Sequence, residues 1–398
     1  MSLLGNLNGM DAVLETDLHV KMLLNRISPA LSELFKPANS RIMETLTNLF
    51  PQSTKDWSTV KPLDKIVLCI SRGITLAVFG PPACDDMLLN KTFVKHTQHV
   101  FTIGFAMRLV PWFLQPALVW CLPAKWHIRW TWETLRRFVY PEVERRLHEK
   151  AEAGRPNLDL ISCMVQDAKR PQDANPELLA GLIGSIAAGA TYSSAALIIG
   201  VISDLVAQPH FLEEIREEIR AKHAEVKGNW TSKTFDGLVK LDSAMKETLR
   251  LAPGALIIYS RKILGDITLS SGLKLQKGQY ITVSGHSRAM DPDVFPNPQV
   301  YDALRSYNQN LGEHRARPFN NVLADDFRWG AGRWACPGRH IATQTSKAIL
   351  VKLLDEYDFK FLDGKRPNNA LLHEFVFFHP DTKMLVRRRE SNCGIVFS

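Results

Sequence analysis

The chain is poor in cysteine. It has six among 398 residues, Cys69, Cys84, Cys121, Cys163, Cys336 and Cys393, with no C-x-x-C pair. Neither a disulfide framework nor a zinc site is indicated in a chain this large, and free thiols in a reducing compartment are expected. Nowhere does an apolar run reach the 18 or so uninterrupted residues of a spanning helix. The nearest, 101–123, is broken by Arg108, Pro111 and Pro116. The N-terminal stretch carries Asp11, Glu15 and Asp17 and no basic region leading into an apolar one, so neither a signal peptide nor a membrane anchor is expected there. No segment repeats at a fixed period, and no low-complexity linker divides the chain. The net charge of +8 is not gathered into one tract. Its densest cluster, Arg387 to Arg389, suits a solvated strand end or a docking surface for an acidic partner, and no nucleic-acid partner is expected.

What is present is an ordinary globular composition, 45% hydrophobic and 23% charged, in a chain long enough to bury a large core. One domain over 1–398 is expected, mainly α with a small β-rich part. From residue 11 to 252 the apolar spacing of three and four predicts an array of helices, with proline-marked breaks at Pro51, Pro81, Pro111, Pro123 and Pro171. Asn175 to about Ala207 is long, mostly apolar and small-residued in its middle, which predicts a helix through the core. Phe211–Ala224 and Thr234–Leu251 read as amphipathic helices. The β-rich part, 253–398, has short β-prone runs at Leu256–Tyr259, Ile267–Leu269 and Tyr280–Val283, then a coil from Asp291 to Asp326. A helix from about Pro337 to Leu354 follows, with strands near Phe359, Phe375–Phe378 and Met384–Arg387. The segment 101–123, with Trp112, Phe113, Leu114, Trp120 and Leu122, reads either as a surface-skimming element that would touch a membrane or as a buried loop.

The most informative stretch is Trp329-Gly330-Ala331-Gly332-Arg333-Trp334-Ala335-Cys336-Pro337-Gly338-Arg339. Its glycines permit tight turns and close approach of backbone to a flat ligand. Cys336 stands just before a helix whose Pro337 suits the first helical position, so free amides and the helix dipole favour a thiolate. A thiolate is what an iron ligand must be. Upstream, Glu247 and Arg250 lie three apart on one helix and can pair. Ala187-Ala188-Gly189-Ala190-Thr191 lies midway along the long apolar helix, where small residues make room for a neighbouring body.

The cysteine loop resembles the haem-binding loop of the cytochrome P450 family, F-x-x-G-x-[RH]-x-C-x-G, with Trp329 at the aromatic position, Gly332 and Gly338 at the glycines and Trp334 where a basic residue is usual. The resemblance implies a P450-like fold with haem b, Cys336 as axial iron ligand, and a haem site that includes Arg261, Arg333, Trp334 and Gly338. It also implies a buried structural triad of Glu247, Arg250 and Arg305. The small-residue stretch matches the family's [AG]-G-x-[DE]-T, which makes Thr191 the oxygen-organising threonine. Ala190 then replaces the acid, and Tyr192, Ser193, Ser194 or water would carry protons, in directions that spacing does not reveal. His19 and Arg26 are further candidates for the propionates or, alternatively, an exposed helix face. Ala187, Leu256, Ile257, Phe375 and Val376 would line an apolar substrate pocket.

The implied reaction is monooxygenation of an apolar substrate, a terpenoid-type fungal secondary metabolite, by O₂ with electrons from an NADPH-dependent flavoprotein reductase. The alternatives are a haem-thiolate isomerase, dehydratase or peroxygenase, and a non-catalytic haem-binding remnant. The family's anchor, proline-rich hinge and first elements have no counterpart, so the fold is expected to be N-terminally truncated. The family places its members on the cytosolic face of the endoplasmic reticulum.

Overall fold

The structure is a computed structural model that describes residues 10–151, 157–310, 318–323 and 326–397. Its helical part comprises α1 (Ala12–Glu15), α2 (Leu18–Met22), α3 (Leu31–Leu49), α4 (Pro62–Phe79), α5 (Met87–Met107), α6 (Gln115–Cys121), α7 (Pro123–Ala151), α8 (Leu160–Asp167), α9 (Pro176–Ala207), α10 (Pro209–Glu225) and α11 (Val239–Leu251). Local chemistry sets several of their starts. Asn175 accepts from the backbone N–H of Glu177 (2.8 Å) and Leu178 (3.4 Å) with Pro176 at the first helical position, which caps α9. Asp86 caps α5 through Leu89 N–H at 3.0 Å, and Asp159 caps α8 through Ser162 N–H at 2.8 Å.

α9 is the axis of the fold. It is apolar on every face, as a helix enclosed by others must be, and α4, α5, α7, α11 and α14 (Arg339–Glu356) pack around it. Among the described residues it is the one helix long and apolar enough to cross a membrane, yet 67% of its most apolar window is buried in this core. The principal apolar cluster draws on residues from Ala12 to Phe397.

The strands are short. β1 (Ser58–Val60), β9 (Met384–Arg388) and β6 (Tyr357–Phe361) form an antiparallel sheet in the order β1-β9-β6. β2 (Ile257–Lys262) pairs with β5 (Tyr280–Ser284), β3 (Ile267–Thr268) with β4 (Lys274–Leu275), and β7 (Ala370–Leu372) with β8 (Phe375–Phe377). A helical turn, α12 (Gly285–Ala289), precedes the coil, and a second, α13 (Arg305–Asn310), interrupts it.

Two expectations need correction, and one alternative narrows. Pro337 is not in the first turn: α14 starts at Arg339 with Gly338 as its cap, and Pro337 lies in the turn before it. α11 starts at Val239, because residues 232–237 form a 3-10 turn. Arg387 to Arg389 are engaged within the chain by Asp358 and Glu356 at 3.4–3.7 Å, which favours the strand-end reading.

Candidate functional site

The cysteine loop is held by its own backbone. Cys336 N–H donates to Trp329 O at 2.7 Å and Gly330 N–H to Phe327 O at 3.1 Å, while the Trp329 indole N–H donates to Phe319 O at 2.6 Å. Gly330 is required twice over: its φ is +77°, and a Cβ there would lie 3.0 Å from the carbonyl oxygen of Trp334. Burial pushes the Cys336 thiol up, while the Gly338 amide, the positive charge of Arg339 and the Arg339 amide pull the other way. The helix start therefore points its amides at the sulfur without ionising it alone; a bound cation has to displace the proton.

Behind the loop, Glu247 on α11 is the centre of a buried charge network. Arg250 donates to its carboxylate from Nε and Nη2, each at 2.8 Å, and Arg305 donates from Nε at 3.1 and 3.2 Å. Both arginines also bind coil carbonyls: Arg250 that of Ala289 (2.7 Å), Arg305 those of Pro296 (2.7 Å) and Val300 (3.0 Å). A cavity of about 590 Å³ connects this network to the loop, with Cys336, Trp334, Phe327, Tyr259 and Arg261 in its wall.

Arg261 and Arg333 both lie over the exposed Trp334 ring, at 5.5 and 4.9 Å, and neither forms an ion pair with a carboxylate among the described residues. The Tyr259 hydroxyl, in the same wall, is buried without a partner among the described residues; His19 Nδ1 is likewise unpartnered but does not line this cavity. Arg26 does not join this set, because Asp167 on α8 holds it at 2.9 Å. Two cations stacked on one indole, an orphaned hydroxyl and a cysteine at a helix start form a donor set that fits a flat, dianionic iron porphyrin.

Leu256, Ile257, Phe375 and Val376 are brought together. Leu256 N–H donates to Glu374 O at 2.7 Å and Val376 N–H to Gly254 O at 3.0 Å, which ties the β7–β8 hairpin to the start of β2. Local patterns hardly announce the contact that closes this hairpin over α5: Phe105 packs edge-on against Phe375 (5.2 Å) and Phe377 (5.4 Å), and Arg108 pairs with Glu374. The i, i+4 pair Phe101 and Phe105, stacked at 5.8 Å, was its one visible signal.

Ala187 and Thr191 are not in this open region. Both are fully buried, and Ala187 O accepts the hydroxyl of Thr191 at 2.6 Å and that of Thr97 on α5 at 3.1 Å. The face of α9 that carries them is turned to α5, and Ala187 is not in the wall of the cavity at Cys336.

Comparison with known proteins agrees with this architecture. The cytochrome P450 family model matches residues 16–386. The chain is 32% identical to the cytochrome P450 monooxygenase terK of Tolypocladium album, over 97% of this chain and 75% of that protein. It is 30% identical to the cytochrome P450 monooxygenase AN1598 of Emericella nidulans, over 98% and 73%. With the dihydro-ML-236C monooxygenase mlcC of Penicillium citrinum the identity is 29%, over 98% and 76%. The crystal structure of the cytochrome P450DA haem domain superposes with a TM-score of 0.68 at 17% identity, covering 94% of this chain and 77% of that one, a likeness of fold. The chain belongs to the cytochrome P450 family and is a haem-dependent monooxygenase of the P450 type.

Proposed function

We propose that the chain is a single haem-thiolate domain that oxygenates an apolar, terpenoid-type secondary metabolite, with Cys336 as axial ligand to the iron of haem b. The observation that carries this reading is Cys336 at the start of α14, on a loop fixed by its own backbone and backed by the Glu247 network. Arg261 and Arg333, with Trp334 between them, hold the propionates, and Gly338 leaves the sulfur side uncrowded. Glu247, Arg250 and Arg305 keep the coil and loop in place and do no chemistry. When bound, haem supplies the activation of O₂ that puts one oxygen atom into the substrate and reduces the other to water. Leu256, Ile257, Phe375 and Val376 offer the substrate an apolar wall and exclude water from it. Electrons come from an NADPH-dependent flavoprotein reductase.

The experiment is addition of candidate terpenoids to the haem-loaded ferric protein, followed by turnover with NADPH and reductase. A substrate-dependent Soret shift and a product heavier by one oxygen atom are expected. A haem-loaded protein that gives neither across a broad apolar panel overturns the substrate reading.

The same reading includes contact with a membrane surface. Trp112 (75% exposed), Phe113 (61%) and Trp120 (59%) project between α5 and α7, beside the exposed Trp126, Trp130 and Arg129 of α7. Amphipathic indoles with a cation beside them suit the headgroup layer. Neutral phosphatidylcholine vesicles should carry the protein in flotation, and Trp112→Ser/Phe113→Ser/Trp120→Ser should leave it behind. Equal flotation of the two proteins contradicts the contact.

A further inference from the structure

Between Asp86 and Glu133 the chain has no aspartate or glutamate, although this stretch makes up all of α5 and α6 and the first turns of α7. It carries Lys91, Lys95, Arg108, Lys125 and Arg129, so five of the eight net positive charges fall here, with His96, His99 and His127 besides. The basic residues stand singly, and what sets the stretch apart is the missing acid. Soluble surfaces ordinarily intersperse the two signs.

Two of these groups are spoken for: Arg108 pairs with Glu374, and His96 is buried. Lys91, Lys95, His127 and Arg129 are exposed, Lys125 and His99 are half-buried, and none of the six has an acidic partner among the described residues. α5 and α7 bring them to one groove. Lys95 lies over the Trp130 ring at 5.5 Å, and the rings of His99 and His127 stack at 5.0 Å with 27° between their planes. Trp126 and Trp130 are exposed beside them, and Trp126 packs edge-on against Trp120 at 5.5 Å, which makes the groove continuous with the aromatic face of α6.

The charges around the histidine pair are of one sign. Burial, and then the charges of His127 and Lys95, hold the pKa of His99 below the ordinary histidine value. Lys125 and Arg129 flank His127 on α7, and α6 has no charged residue. The first acid of α7, Glu133, is held by Arg136 at 3.0 Å, and Asp86 caps the far end of α5. α4 and α9 meet α5 through Asn90 and Thr97, on its opposite face. Nothing in the chain balances this groove, so the complementary charge has to come from outside.

We infer that the α5–α7 groove is a headgroup site for anionic phospholipid, in which Lys95, His99 and His127 hold the phosphate and Lys125 and Arg129 add to the attraction. The inference rests on the membrane reading given above and names the lipid. Trp126 and Trp130 sit at the level of the headgroups, as indoles do at a bilayer interface. A phosphate beside the two imidazoles removes the repulsion that opposes their charging, so binding takes up protons. The resulting gain in affinity is full below the pKa of the free histidines and is lost as pH rises through that of the bound ones.

The test is flotation of the haem-loaded full chain with neutral phosphatidylcholine vesicles and with vesicles in which about a third of the lipid is phosphatidylglycerol, whose phosphodiester stays charged from about pH 5.5 to 7.5. Wild type is compared with Lys95→Gln/Arg129→Gln and with His99→Gln/His127→Gln. At low salt the anionic lipid should raise wild-type affinity at least about ten-fold, given roughly five-fold per cation at the surface, and the gain should shrink in high salt. Acidification across that range should raise it several-fold more. Lys95→Gln/Arg129→Gln should match wild type on neutral vesicles and lose most of the gain. His99→Gln/His127→Gln should keep the gain at the higher pH and lose its pH dependence, with melting temperature and carbon-monoxide spectrum unchanged in both variants. Equal wild-type flotation with the two vesicles spares the membrane reading and overturns the groove, whereas flotation with neither is a failure of the membrane reading itself and takes the groove with it. A Lys95→Gln/Arg129→Gln protein with the full gain, or a His99→Gln/His127→Gln protein with the wild-type pH dependence, also overturns the assignment.

Discussion

The wall that carries Cys336 and the core helix α9 differ in how they are specified. On the cysteine side the chain uses charge, glycine and contiguous loop backbone: Glu247 with two arginines, Gly330 at positive φ, and Cys336 hydrogen-bonded through its own amide to Trp329. Each is a feature with few substitutes, because a buried charge must be paired and a Cβ at 330 would collide. On the α9 side the specification is a rotation. Ala, Gly, Ser and Thr pack in similar volumes, and two residues along a helix change the face by about 200°. The cysteine wall tolerates little change of residue type; the α9 core tolerates change of type but not of phase.

The sharpest way to break the first wall is to unpair its charge. Arg250→Ala leaves the buried Glu247 with one cation, Arg305, and the Asp302 N–H, and Glu247→Gln leaves two buried arginines short of a carboxylate; each should cost roughly 3–5 kcal/mol, read as lost haem incorporation and a lower denaturation midpoint. A stability near wild type would mean that this wall does not rest on the pair.

The α9–α5 contact offers a pH test. His96 is fully buried, its Nδ1 3.1 Å from the Thr131 hydroxyl, and burial, with a smaller push from His99, lowers its pKa to about 4. The unfolded chain takes up this proton below about 6.5 and the folded one only near 4, so stability is full above pH 6.5 and declines as pH falls through that window. Up to about 3 kcal/mol is at stake. His96→Asn should flatten the acid limb of the pH–stability curve between pH 4 and 6.5, and an unchanged limb would place the titrating group elsewhere.

Thr191→Val should cost about 1 kcal/mol, since Ala187 O retains the Thr97 hydroxyl. Arg108→Ala, which frees the β7–β8 hairpin from α5 and removes the cation from the Phe375 ring, should cost a similar or smaller amount, below about 1 kcal/mol, and speed proteolysis within the hairpin. Hairpin cleavage at the wild-type rate would show that Phe105 and the backbone bonds to Gly254 and Leu256 hold it without the cation.

The same difference decides what was legible beforehand. The cysteine loop and the Glu247–Arg250 spacing were readable because their residue types carry their own physical reasons at fixed short distances, and the helix order was readable from apolar spacing. The face of α9 was not, because a helix that is apolar all round has no polar side to set its phase. Thr191 was therefore read by its type alone, and in the structure it is buried with its hydroxyl on Ala187 O. The third arm of the charge network, Arg305, lies 58 residues from Glu247 and could be placed only by resemblance. Phe105, Arg108 and Glu374 meet through a hairpin that no local pattern announced.

The most direct measurement is the reduced carbon-monoxide difference spectrum of the wild type and of Cys336→Ala. The wild type should show the red-shifted Soret band of a thiolate-ligated haem, and Cys336→Ala should lose that band. A wild type without it, or a Cys336→Ala protein that keeps it, would contradict the assignment of Cys336 as the ligand.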